Sequence, residues 1–222
     1  MHIVYNIGIL ILAYLIGSIP TSVWIGKAFF GIDIRDRGSK NAGATNAMRI
    51  FGWKAGLTVL LIDILKGWLA VNLIHLTNYY IPETGDFIEF QLLLGIAAIL
   101  GHIFPVYVGF RGGKGVATLF GLVLAINPEP TLLCIGVFVI SLIITKYVSL
   151  SSMIAAFNFP IMVIFVFKTT TPSLVLFSLI LVVLLLFTHQ KNIERLLRKE
   201  EKKVLFLMSK RRRELERLKQ SA

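Results

Sequence analysis

Three short polar stretches carry residue types suited to handling phosphate. The first, Gly38-Ser39-Lys40-Asn41-Ala42-Gly43-Ala44-Thr45-Asn46, is followed by Arg49. Ser39, Asn41, Thr45 and Asn46 supply neutral hydrogen-bonding groups. Gly43 allows close backbone approach, and Arg49 offers a planar fork matched to phosphate oxygens. A tight turn with a helix cap explains the same composition equally well. The second stretch runs Gly101-His102-Ile103-Phe104-Pro105, then Gly109-Phe110-Arg111-Gly112-Gly113-Lys114-Gly115, directly before an apolar run. Glycines and two cations at a helix start favour an anion, through free N–H groups and the helix dipole. A nucleotide P-loop is excluded, because Val108 stands where Gly is required and Gly115 where Ser or Thr is required. Phosphate binding is the better reading here than a merely basic turn. The third stretch, His189-Gln190-Lys191-Asn192-Ile193-Glu194-Arg195, closes the last apolar run. His189 and Asn192 are three apart and share a helix face. Taken alone it is also an ordinary basic membrane exit.

The elements that must position these stretches are membrane helices. Mean hydropathy is +0.78 and only 16% of the 222 residues are charged, against roughly a quarter in soluble domains. Apolar runs predict an all-α integral membrane protein of about seven transmembrane helices, near 3–25, 53–77, 91–108, 114–127, 131–146, 150–168 and 173–189. The fourth and fifth are short, divided by the turn signal Asn127-Pro128-Glu129-Pro130. The first loop holds Lys27, Arg35, Arg37, Lys40 and Arg49, with Lys54 at its edge; the third holds Arg111 and Lys114, and the fifth Lys146. The second loop has only Glu83, Asp86 and Glu89, and the fourth has no basic residue. Lys168 is the one exception to this alternation. The bias predicts an N-terminus outside, a C-terminus in the cytoplasm, and all three polar stretches at the cytoplasmic face.

Charge narrows the partners. The net charge is +11, and most of it lies beyond residue 188. The basic residues flank apolar runs, which points to anionic lipid or a phosphorylated substrate and away from nucleic acid. Residues 1–202 are expected to form the membrane domain. Residues 203–222 form a basic tail, either an amphipathic helix on anionic lipid or a solvated segment. The single cysteine, Cys134, excludes an internal disulfide, and no Cys/His cluster has metal-ligand spacing. Asp63 and Lys66 interrupt the second span. They form either a structural ion pair or, through Lys66, part of the cationic wall of the site. A membrane transporter of phosphorylated metabolites would use the same anion-binding loops. It is disfavoured by polar stretches confined to one face and by the lack of repeats.

The three stretches together resemble the bacterial acyl-phosphate-dependent glycerol-3-phosphate acyltransferase family. The resemblance extends from Gly17-Ser18-Ile19-Pro20 to Leu197, with Gly-His-x-Phe-Pro-Val and Gly-Gly-Lys-Gly-Val-Ala-Thr as its most specific part. It implies a seven-helix enzyme of the bacterial inner membrane, with its site at the cytoplasmic face and no metal or cofactor. Such an enzyme moves a fatty acyl group from acyl phosphate to the 1-hydroxyl of glycerol 3-phosphate, giving lysophosphatidic acid and phosphate. The resemblance implies Ser39, Arg49, Lys114, His189 and Asn192 as catalytic residues. Asn41, Gly43, Thr45, Asn46, Lys66, His102, Gly112, Gly113, Gly115 and Glu201 are expected around the substrates. The chain departs from the family pattern at Lys40 and Lys199, where the family usually has Gly, and at Ala42, where it has Pro.

Overall fold

The computed structural model describes residues 2–204, so expectations for 205–222 lie outside the described residues. Every regular element among the described residues is helical. In chain order they are α1 (His2–Gly17), α2 (Thr21–Phe30), α3 (Ala44–Phe51), α4 (Trp53–Asn72), α5 (Gly85–Ile103), α6 (Val116–Ile126), α7 (Pro128–Thr145), α8 (Val148–Ile161), α9 (Pro172–Thr188) and α10 (Gln190–Leu197). Four helical stretches are long and apolar enough to cross a bilayer: Trp53–Leu76, Gly85–Val108, Pro128–Thr145 and Val148–Val166. The count rises to six if the bent pairs α1–α2 and α9–α10 are each one span. The remaining apolar helix, α6, has 11 residues. It therefore reaches only about 16 Å, near half the hydrocarbon thickness.

The helices differ from the expected ones where local chemistry intervenes. The expected helix 3–25 is broken, with α1 and α2 meeting at 41°. Pro20 has no N–H to donate, and the chain turns through Ser18 and Ile19, whose N–H groups bond back to Tyr14 and Ile16. α5 begins at Gly85 rather than 91, because Thr84 caps it and accepts from the Phe87 N–H. The expected turn around Pro128 shrinks to Asn127 alone. Pro128 occupies the first turn of α7, where a missing N–H costs nothing.

Packing sets the end of the bundle that holds the polar stretches. Gly67 of α4 lies against the Thr118 backbone of α6, and Gly121 of α6 against the Ile64 carbonyl. Neither position has room for a Cβ, which is how small residues bring membrane helices together. The apolar core includes Val71, Ile99, Leu122, Phe159 and Leu181, drawn from α4, α5, α6, α8 and α9. A smaller cluster of Val23, Ile34, Ala42, Ala47 and Val59 underlies the first loop. Well away from the polar stretches, Tyr5 donates to the Leu76 carbonyl and Asn6 to the Tyr80 hydroxyl, a polar–aromatic group suited to an interfacial belt.

Candidate functional site

The first loop is shaped by one buried amide. Asn46 in α3 is 1% exposed. Its Nδ2 donates to the carbonyls of Ile34, Arg37 and Asn41, and its Oδ1 accepts from the Ser39 N–H at 3.0 Å. These bonds use up the amide, so Asn46 acts by holding the loop rather than by offering a free group. Ser39 gives its N–H to that tie, and its hydroxyl has no hydrogen-bond partner among the described residues. Asn41 is half-buried beside Gly43, and Thr45 is exposed in the first turn of α3. Arg49, one turn on, lies within electrostatic reach of Glu201, which attracts its guanidinium, and of Arg195, which repels it.

The second stretch returns sharply onto the end of α5. The N–H groups of Gly112 and Gly113 donate to Ile103 and His102 carbonyls, both at 3.1 Å. These two expected cradle donors therefore face inward. The free backbone donors begin at Lys114 and continue into α6, whose first N–H groups lack intrahelical partners. Gly115 caps α6 at φ 79°, in the left-handed region that favours glycine.

Lys114 joins the second stretch to the third: its Nζ donates to Asn192 Oδ1. Asn192 Nδ2 donates to Glu201 Oε1 at 2.7 Å, as does Ser149 Oγ. Arg195 Nε donates to Glu201 Oε2 at 2.7 Å. The carboxylate is thus a hub for α8 and α10, coupled through Asn192 to the start of α6. Burial opposes its charge, but the hydrogen bonds from Arg195, Ser149 and Asn192 hold its pKa below the ordinary value. Burial pushes the Lys114 ammonium down to about 8, with Glu201 opposing and Arg195 adding to the shift. His189 is 2% exposed, at the 62° bend between α9 and α10. Its Nδ1 lies 2.8 Å from the Leu185 carbonyl. A carbonyl only accepts, so Nδ1 carries the proton and the neutral ring keeps its lone pair on Nε2.

Lys66 is committed elsewhere. Its Nζ bonds to Asp63 at 2.8 Å and to the Ile19 carbonyl at 2.9 Å. Thr21 also donates to Asp63. His102 Nδ1 lies 3.1 Å from the Thr118 hydroxyl and 3.8 Å from Asp63, while its Nε2 abuts Gly113. Lys66 and His102 thus form a buried polar cluster behind the second stretch, pinning the α1–α2 break to α4, with Asp63 and Lys66 joined as an ion pair. The expected set therefore divides. Arg49, Lys114, His189, Asn192 and Glu201 converge, with Ser39 held by the same loop as Arg49. Asn46, Lys66, His102, Gly112 and Gly113 build the surroundings. Ser149 and Arg195 were missed as members. Arg195 lay inside the third stretch, but nothing local to Ser149 signals that Glu201 returns to it. Among the described residues, no three His, Cys, Asp or Glu side chains gather as metal ligands.

Comparison with known proteins bears on this arrangement. Residues 7–199 match the family model described as glycerol-3-phosphate acyltransferase. A glycerol-3-phosphate acyltransferase of Chlorobium chlorochromatii is 39% identical over 219 residues, covering 86% of this chain and 93% of the relative. One of Fusobacterium nucleatum is 43% identical over 188 residues, covering 85% and 92%. Two crystal structures share the fold. Both are of PlsY (YgiH), an integral membrane glycerol 3-phosphate acyltransferase, and are 32% identical over 90% of this chain. The glycerol 3-phosphate form covers 96% of its chain with a TM-score of 0.80. The lysophosphatidic acid form covers 95% with a TM-score of 0.76.

Proposed function

This multi-pass membrane chain belongs to the glycerol-3-phosphate acyltransferase family, and we propose that it moves a fatty acyl group from acyl phosphate to the 1-hydroxyl of sn-glycerol 3-phosphate. The products are 1-acylglycerol 3-phosphate and inorganic phosphate, in the first acylation of phospholipid synthesis. The observation that carries this reading is the Lys114–Asn192 bond, which ties two phosphate-suited stretches into one group with Glu201. Acyl phosphate as donor rests on the likeness of the three stretches. Glycerol 3-phosphate as acceptor is supported by the relatives, which are glycerol-3-phosphate acyltransferases, and by the solved glycerol 3-phosphate form of PlsY.

The chemistry asked of these residues is modest. The acceptor hydroxyl oxygen bonds to the acyl carbonyl carbon, and the carbon–oxygen bond to phosphate breaks. The proton passes to His189 Nε2, and phosphate leaves with the bonding electron pair. Acyl phosphate is already activated, so alignment and charge stabilisation are the main requirements. Ser39, Arg49 and Lys114 take the substrate phosphates, the free N–H groups from Lys114 onward add donors, and Asn192 orients the acceptor. We place seven crossings in the bilayer, α6 the shortest of them, with the N-terminus outside and the site and C-terminus cytoplasmic. The Lys and Arg bias supports this orientation.

Purified protein in lipid nanodiscs should release phosphate from palmitoyl phosphate only when glycerol 3-phosphate is present. Palmitoyl-CoA should give no product. Absence of turnover, together with uptake of glycerol 3-phosphate into proteoliposomes, would replace this reading with transport.

A further inference from the structure

The first and second stretches belong to different loops, and one side chain bridges them. Arg35 sits in a short turn, Ile34–Asp36, just ahead of the first stretch. Its Nε donates to Asp33 Oδ1 at 2.9 Å and its Nη2 to Asp33 Oδ2 at 2.7 Å, a two-pronged pairing. The remaining arm, Nη1, crosses to the other loop. It donates to the Val108 carbonyl at 2.7 Å and reaches the Arg111 carbonyl at 3.4 Å. The Arg35 and Asp33 side chains are 14% and 16% exposed. Both carboxylate oxygens of Asp33 are engaged, Oδ1 also accepting the Arg35 N–H, and Lys27 Nζ stands 3.4 Å away.

We propose that Arg35, locked by Asp33, is a positioning residue that sets the register between the loop carrying Ser39 and Arg49 and the loop carrying Lys114. Each end of the bridge leads into one of those loops. On one side, Ile34 and Arg37 carbonyls are held by Asn46, whose Oδ1 fixes the Ser39 N–H. On the other, Arg111 immediately precedes Gly112 and Gly113, which are bonded to the end of α5 and followed by Lys114. A guanidinium suits the task because it can spend two edges on a carboxylate and still donate outward. Lysine, with one nitrogen, cannot hold both partners in a plane. Arg35 touches no reacting atom, so its contribution is geometric. It acts on the alignment of two phosphate-binding groups whose relative displacement is costly to rate.

The functional part of this inference rests on the acyltransferase reading, so the test has two independent arms. In the first, Arg35→Ala and Asp33→Asn should lower kcat by about 10- to 100-fold with a smaller change in KM for glycerol 3-phosphate. Arg35→Lys should fall between them and wild type, and millimolar guanidinium should restore part of the Arg35→Ala rate. In the second arm, hydrogen exchange is followed by mass spectrometry in the full-length protein without substrates. Segments 37–49 and 109–115 should exchange faster together in Arg35→Ala, while α7 and α9 keep wild-type protection. Unchanged exchange in both segments would overturn the proposal whatever the enzyme's donor. So would a kcat within twofold of wild type in an active preparation. Loss of rate that tracks a general loss of protection would also overturn it, since it would mark Arg35 as a stabilising residue only. A wild-type protein inactive toward acyl phosphate would count against the functional reading and leave the exchange arm to decide the bridge.

Discussion

At the scale of single residues, the chemistry turns on which groups remain available once the fold has used the others. Asn46 and Lys66 are spent on carbonyls and a carboxylate, while Lys114 keeps a depressed pKa beside a partly neutralised cluster. That depression predicts a pH dependence. Burial lowers the Lys114 value to about 8, so its ammonium is present below pH 8 and is lost as the pH rises through it. Glycerol 3-phosphate stays dianionic above about pH 6, so the ligand does not titrate in that window. KM for glycerol 3-phosphate should therefore climb about fivefold between pH 8 and pH 9. In Lys114→Arg the profile should stay flat over that interval, because a guanidinium does not deprotonate there. A wild-type profile that is also flat would contradict the lowered Lys114 value.

At the scale of elements, two of the three departures from the family pattern prove informative. Lys40 and Lys199, standing where the family usually has Gly, adopt φ 58° and 60°. Lys40 lies in the first loop. Lys199 ends α10 at the turn that sends Glu201 back toward Asn192. A side chain in this left-handed region carries about 1–2 kcal/mol of strain, part of which glycine returns through its greater freedom when unfolded. Lys199→Gly should therefore raise stability by about 0.5–1 kcal/mol, read as a higher thermal midpoint, and Lys199→Ala should give no gain. A lower midpoint for the glycine variant would mean that the Lys199 side chain, not the turn, matters there. Lysine accepts the conformation at this turn, and Glu201 reaches Ser149, Asn192 and Arg195 beyond it.

At the scale of the whole molecule, apolar runs alone located every long helix, because a span must bury about twenty residues whatever its neighbours do. They did not locate the break at Pro20 or the early start of α5. The first depends on one proline and on Thr21 bonding to Asp63 of α4, and the second on a single threonine cap. The candidate site was legible as residue types in three places. Its closure was not, since Ser149, Arg195 and Glu201 meet only after the chain has turned back from α10. The same holds for Arg35, whose carbonyl partners are 73 and 76 residues away. The central claim is that distant stretches operate as one site. The most direct measurement is a double-mutant cycle on kcat/KM for Lys114→Ala and Asn192→Ala, with palmitoyl phosphate and glycerol 3-phosphate as substrates. One shared site predicts that the double variant loses less than the product of the two single losses, a coupling of at least about 1 kcal/mol. Losses that multiply independently would contradict it.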